Sequence, residues 1–114
     1  MTASNTGKPH PAKLGPVLRA IADPNRRRIL DLLAGGDLPV SRIADRFKIS
    51  RPGIIKHLRV LRSARLISVR RRGRERVQSL NVEPLRQIET WLSRFDAFWD
   101  DSLQKLKRQV EEDT

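Results

Sequence analysis

Between Val40 and Ser63 the chain reads VSRIADRFKISRPGIIKHLRVLRS, and few folds accommodate such a stretch. Val40, Ile43, Ala44 and Phe47 recur at helical spacing and supply one apolar face. After a turn at Lys48-Ile49, Ser50 is a good N-cap, and Pro52 falls in the first helical turn, where a missing N–H costs little. Ile54, Leu58 and Leu61 then form an apolar stripe, while Arg51, Lys56, His57, Arg59 and Arg62 lie off it. Two short helices, the second buried on one side and cationic on the other, form the helix-turn-helix unit that lays its second helix in the DNA major groove. A plain αα-hairpin with a solvated basic face is the competing reading. The turn has no glycine, so a residue there is expected in the left-handed conformation at a cost on the order of 1 kcal/mol, which a phosphate contact by Lys48 would offset.

Charge placement sharpens the choice. The 114 residues carry a net charge of +11. Residues 42–76 hold thirteen basic and two acidic groups, whereas residues 1–41 hold six and three and residues 77–114 hold five and eight. The middle third therefore accounts for the whole excess, and a field so concentrated recruits a polyanion. An anionic membrane is the rival polyanion. Its binders pair charge with an amphipathic surface helix, and the apolar residues of this segment are taken up by a core. No apolar run approaches a membrane span, the start lacks the hydrophobic centre of a signal peptide, and cysteine is absent. A single cytoplasmic domain is expected.

The flanking segments complete a fold. Residues 1–13 have the composition of a loose arm, which includes His10. A short helix is expected over Gly15 to Ala22, and Asp23-Pro24 restarts a second as N-cap and first helical residue. Arg26, Arg27 and Arg28 near its start oppose the helix dipole. Either a contact with phosphate or an acidic neighbour, or simple solvation, would account for them. Beyond Ser63 the period changes: LISVRRRGRERVQSL alternates on both sides of Gly73, as two strands of a hairpin do. Arg70, Arg71, Arg72, Arg74 and Arg76 crowd its tip and suit a wing reaching along the DNA backbone or into a minor groove. Asn81 is placed to cap a final helix over about residues 83–109, with Leu85, Ile88, Trp91, Leu92, Phe95, Phe98, Trp99 and Leu103 along one face. So small a domain cannot bury that face alone, and a second subunit is the expected cover.

The runs ADPNRRRILDLL and SRIADRFKISRPGIIKHLRVLRSARLISVRRRGRERVQSL resemble the ArsR-type (arsenic-repressor-like) winged helix-turn-helix regulators of bacteria. The likeness covers residues 14–82, and KHLRVLRSARLISVRRRGR is its most specific part. It implies a mainly α fold with a small two-stranded antiparallel hairpin, and a homodimer joined through the first and last helices on a two-fold symmetric operator. The tail ETWLSRFDAFWDDSLQKL is similar to a subgroup with an aromatic-rich final helix and no metal site. Metal-sensing members place cysteines in the first helix of the motif, or Asp and His along the last. Here the former segment has no cysteine and the latter no histidine, and Asp96, Asp100 and Asp101 alone suit soft metals poorly. No cofactor is implied.

The combined expectation is a dimeric DNA-binding repressor. Ser50, Arg51, Gly53, Ile55, Lys56 and His57 would line the recognition surface, with Gly53 letting the backbone approach the groove. Lys48, Arg59 and Arg62 would meet phosphates, the five wing arginines would flank them, and Leu18 would join the aromatic face in the dimer. Two other classes stay open. One is a winged-helix protein–protein module, such as an anti-repressor or antitoxin. The other, an RNA binder, is disfavoured because the aromatics sit in the last helix rather than on the basic face. An enzyme is not expected: no glycine-rich phosphate loop and no cysteine nucleophile can be read.

Overall fold

A computed structural model describes residues 13–112, so all but Lys13 of the expected arm lies outside the described residues. Helix α1 (Leu14–Ala22) meets α2 (Pro24–Ala34) at Asp23, which ends the first and caps the second by accepting a 3.0 Å hydrogen bond from the Arg26 N–H. The arginine triplet has a structural role here. The last four carbonyls of a helix have no intrahelical partner. Arg26 donates to Ala20 O at 2.6 Å and to Arg19 O at 3.0 Å, and Arg27 donates to Ile21 O at 2.7 Å and Ala22 O at 3.0 Å. Two side chains thus satisfy all four carbonyls and place positive charge at the negative end of α1. Arg28 lies over the Phe47 ring, 4.5 Å from its centroid. Arg28 also donates to Arg46 O at 3.4 Å, so all three are engaged within the protein, while Arg27 and Arg28 stay exposed to solvent.

A two-residue strand, β1 (Leu38–Pro39), leads into α3 (Val40–Ala44), and a turn then delivers α4 (Arg51–Ser63). Within that turn Phe47 N–H bonds to Ala44 O, and no residue is left-handed, contrary to the expectation for Lys48-Ile49. The left-handed residue is Arg65, φ 62°, immediately past α4. There Leu66 N–H returns to Leu61 O at 3.0 Å and Arg65 N–H to Arg62 O at 2.9 Å, which closes the helix end with buried Leu61 and Leu66 in hydrophobic register. Asn81 reinforces this closure by donating to Arg65 O at 2.8 Å. Its Oδ1 also accepts from the Glu83 N–H at 3.4 Å, so Asn81 supplies the expected side-chain cap to the last helices from one residue before Val82 while clamping them to the end of α4.

Strands β2 (Ile67–Arg72) and β3 (Glu75–Leu80) pair antiparallel from Ile67↔Leu80 to Arg72↔Glu75. Gly73, φ 63°, stands at the first central position of the two-residue turn, where a side chain would be strained. The hairpin is as expected. What is added is a third strand: β1 pairs with β3 through Leu38↔Gln78, giving the order β1-β3-β2. One core joins the helical layer to this sheet, with Val17, Ile29, Ile43, Ile54, Leu61 and Leu66 wholly buried.

The final helix is two helices, α5 (Glu83–Ser93) and α6 (Asp96–Glu112). Ser93 Oγ donates to Thr90 O at 2.6 Å, and the N–H groups of Arg94 and Phe95 reach back only three residues, to Trp91 and Leu92. The tightened turn and the competing hydroxyl interrupt the α-helical ladder. Leu85 and Ile88 of α5, both partly buried, pack against the core, and Ile88 keeps part of its surface open. No residue of α6 is buried.

Asp23 makes the α1–α2 junction sensitive to acid. Burial acts to raise its carboxyl pKa, but the Arg26 N–H, the nearby His57 and Arg26, and the Asn25 N–H outweigh that and hold it below the ordinary value. A depressed carboxylate contributes stability above its unfolded pKa of about 4 and loses that contribution as pH falls through the folded value. Thermal melting of wild type is therefore expected to decline below about pH 4 more steeply than that of Asp23→Asn, which keeps the cap but does not titrate. Parallel declines would remove Asp23 from the account.

Candidate nucleic-acid interface

Three faces of α4 have separate uses. Ile54, Leu58 and Leu61 enter the core. His57 turns toward the α1–α2 junction, its Nδ1 3.3 Å from Arg26 Nη1 and 4.0 Å from Asp23 Oδ2. This corrects its expected place at base edges: the ring anchors the recognition helix to α2. The third face carries Arg51, Ile55, Arg59 and Arg62 along one side, since residues three and four apart are neighbours on a helix. Lys56 is exposed beside them, and Lys48 is exposed in the preceding turn.

The start of α4 gives its glycine a different explanation from the one the sequence suggests. Ser50 Oγ accepts from Gly53 N–H at 3.2 Å, so the hydroxyl is a helix cap before it is anything else. A Cβ on Gly53 would lie 2.6 Å from Ile49 Cγ2 and 3.3 Å from Ser50 Oγ. Within the protein itself, the turn before α4 already leaves no room for a side chain at Gly53. Gly53→Ala is accordingly expected to destabilise by roughly 1–3 kcal/mol, the usual cost of overpacking, despite the better helix propensity of alanine. Chemical denaturation measures this, and an unchanged midpoint would show that Ile49 yields freely.

The basic face of α4 and the wing form the two walls of a cleft of about 380 Å³. Arg51, Ile55, Arg59 and Arg62 line one side, and Val69, Arg74, Arg76 and Gln78 are among those lining the other. Among the described residues no hydrogen bond or ion pair engages the side chains of Arg51, Arg59, Arg62, Arg71, Arg72, Arg74 or Arg76. Arg70 is the exception within the wing. Its guanidinium donates to Asp37 Oδ2 at 2.6 Å and to Ser79 Oγ at 2.9 Å, tying the base of the hairpin to the segment before β1. The hydrogen bonds from Arg70 and Ser79, helped by the Arg70 charge, keep the Asp37 carboxyl below its ordinary pKa. Arg70 is thus a strut, and four arginines rather than five remain at the tip.

The aromatic face is the other open surface. Trp91, Leu92, Phe95, Phe98, Trp99 and Leu103 are all exposed, with Phe98 at 60% and Trp99 at 55%. Trp91 and Phe95 meet edge to face at 5.3 Å, as do Phe98 and Trp99 at 5.8 Å. Leu18 of α1 is exposed at 37%. A helix packed back on its own protomer would have hidden these residues, and α6 hides none of its own.

A helix-turn-helix with a cationic recognition helix, flanked by a three-stranded wing with free arginines, is a winged-helix DNA-binding module. Residues 23–69 match the family described as bacterial regulatory protein, arsR family. The transcriptional repressor SdpR of Bacillus subtilis is 46% identical over 79 residues, spanning 69% of this chain and 88% of that protein. The HTH-type transcriptional regulator Rv2034 of Mycobacterium tuberculosis is 42% identical over 77 residues, 68% of this chain and 72% of the relative. Among solved structures, the ArsR family transcriptional regulator RHA00566 superposes with a TM-score of 0.71 at 32% identity, over 76% of this chain and 96% of that one. An ArsR-like regulator from Rhodococcus sp. RHA1 gives 0.67 at 33% identity, over 83% and 90% of the two chains. The chain belongs to the ArsR family of bacterial regulatory proteins, and it is a DNA-binding transcriptional regulator rather than an enzyme. Among the described residues no helix is long and apolar enough to cross a membrane.

Proposed function

We propose that the chain is a homodimeric repressor that binds a two-fold symmetric operator in the nucleoid of the cytoplasm. The observation that carries this reading is the unpaired arginine surface shared by α4 and the wing, set apart from an exposed aromatic face on α5 and α6. Arg51, Ile55 and Lys56 meet base edges in the major groove. Lys48, Arg59 and Arg62 meet phosphates, and Arg71, Arg72, Arg74 and Arg76 follow the flanking backbone. Trp91, Leu92, Phe95, Phe98, Trp99 and Leu103, with Leu18, form the subunit contact. Repression is taken from the named role of SdpR. The aromatics lie away from the basic surface, which supports duplex DNA over single-stranded RNA as the ligand.

Selection of duplexes from a random-sequence library with the purified chain tests the reading. The expected product is an inverted repeat whose half-sites are centred about one helical turn apart, or a multiple of it. Enrichment of no sequence, or of a lone asymmetric half-site, would sink it. Micromolar zinc, cadmium or arsenite is expected to leave the protein on that operator. The chain has no cysteine, and among the described residues no three His, Asp or Glu side chains converge to hold an ion. Release by metal in an anisotropy titration, reversed by chelator, would contradict this.

A further inference from the structure

The basic stripe of α4 contains one residue of the wrong chemistry for phosphate. Ile55 is 40% exposed, while Ile54 before it is wholly buried and Leu58 after it is 5% exposed. It stands four residues from both Arg51 and Arg59, in the middle of the stripe, and lines the cleft opposite Val69 of the wing. The residue therefore contributes little to the core, and a β-branched side chain gains nothing in an exposed helix. A lone exposed isoleucine is common on protein surfaces and needs no explanation by itself. This one is different because its neighbours on the same face are cations with no partner among the described residues, so a ligand that meets them meets Ile55 too.

We propose that Ile55 is a specificity-determining residue that reads the C5-methyl group of a thymine in each half-site. The proposal rests on the assignment of α4 as the DNA-reading helix made above. In the major groove the other recognition features of the base pairs are hydrogen-bond donors and acceptors, and the thymine methyl is the group that an apolar side chain rewards. Ile55 accepts and donates no hydrogen bond, so its contribution is discrimination by shape and desolvation. Arg51, one turn earlier, has the fork that suits guanine O6 and N7.

Uracil in place of thymine deletes that methyl and leaves the hydrogen-bonding edge intact. Each thymine of the selected operator is replaced in turn, symmetrically in both half-sites, and affinity is measured for wild type, Ile55→Val and Ile55→Ser. At one symmetric pair wild type is expected to lose about fourfold per methyl, about fifteenfold for the pair, as burial of one carbon predicts. Ile55→Ser binds the thymine and uracil duplexes equally at that pair, and Ile55→Val falls between. The wild-type uracil series is readable however the variants fold. Three results overturn the proposal: no sensitive pair, an equal uracil effect in wild type and Ile55→Ser, or a drop of more than about 5 °C in the melting temperature of Ile55→Ser, the mark of a core residue. In all three the protein still binds its operator, so the DNA-reading role of α4 stands. A chain that enriches no operator overturns both.

Discussion

Trp99→Ala is expected to weaken self-association about a thousandfold without lowering the melting temperature of the separated protomer. The two effects part because Trp99 is 55% exposed and no residue of α6 is buried, so the side chain does little for its own protomer. A two-fold interface uses each residue twice. Truncating an aromatic anchor costs about 2 kcal/mol on each side, hence about 4 kcal/mol per dimer, and each 1.4 kcal/mol is a factor of ten. Operator affinity should fall in step, because a monomer engages one half-site with one recognition helix, although every basic residue is untouched. Sedimentation velocity across a concentration series measures the first effect, and anisotropy on the symmetric operator the second. A wild type that sediments as a monomer at micromolar concentration would leave the aromatic face without its proposed cover.

What the sequence revealed and what it hid follow from how local each signal is. The helix-turn-helix was legible because Ile54, Leu58 and Leu61 repeat at helical spacing behind the Ser50 cap and Pro52, all within one element. The wing was legible because alternation changes hand at Gly73. Signals that depend on two distant segments were not. Strand β1 has two residues, too few for a period, and exists only because Gln78 and Val77 lie beside it. Arg70 and Asp37 are 33 residues apart, so the sequence shows a tip arginine where the fold makes a strut. His57 follows a basic residue on a basic helix, and only the path of α2 reveals that its ring faces Asp23 and Arg26. The triplet Arg26, Arg27 and Arg28 looked adverse to its own helix because the beneficiary is the end of the previous one. Gly53 invited a DNA explanation, although the contact that excludes a side chain there is with Ile49. The interruption near Arg94 was masked by an apolar pattern that runs through it from Leu85 to Val110.

The wing should show itself most clearly through salt. Arg72 and Arg74 flank Gly73 at the tip, are exposed, and have no partner among the described residues, so a phosphate is free to take them without breaking an existing bond. A cation seated on a phosphate releases condensed counterions, and each phosphate left without its cation makes the slope of log affinity against log salt shallower by about 0.9. If the pair neutralises one phosphate in each wing of the dimer, Arg72→Ala with Arg74→Ala makes the slope shallower by about 1.8. The same relation sets the size of the effect: about 30-fold weaker binding at 0.15 M salt, vanishing as the salt approaches 1 M. The weakening should be uniform over operator variants, because a backbone contact positions the protein and carries no base preference. Arg70→Ala makes the contrasting control. Its guanidinium is held by Asp37 and Ser79, so its removal should loosen the hairpin and lower the melting temperature more than it changes the slope. Affinity titrations from 0.05 to 1 M salt, about the range in which such slopes are linear, decide the matter. A double variant with the wild-type slope would mean that the tip arginines do not touch DNA, and a weakening confined to particular base pairs would mean that they read the minor groove instead of tracking the backbone.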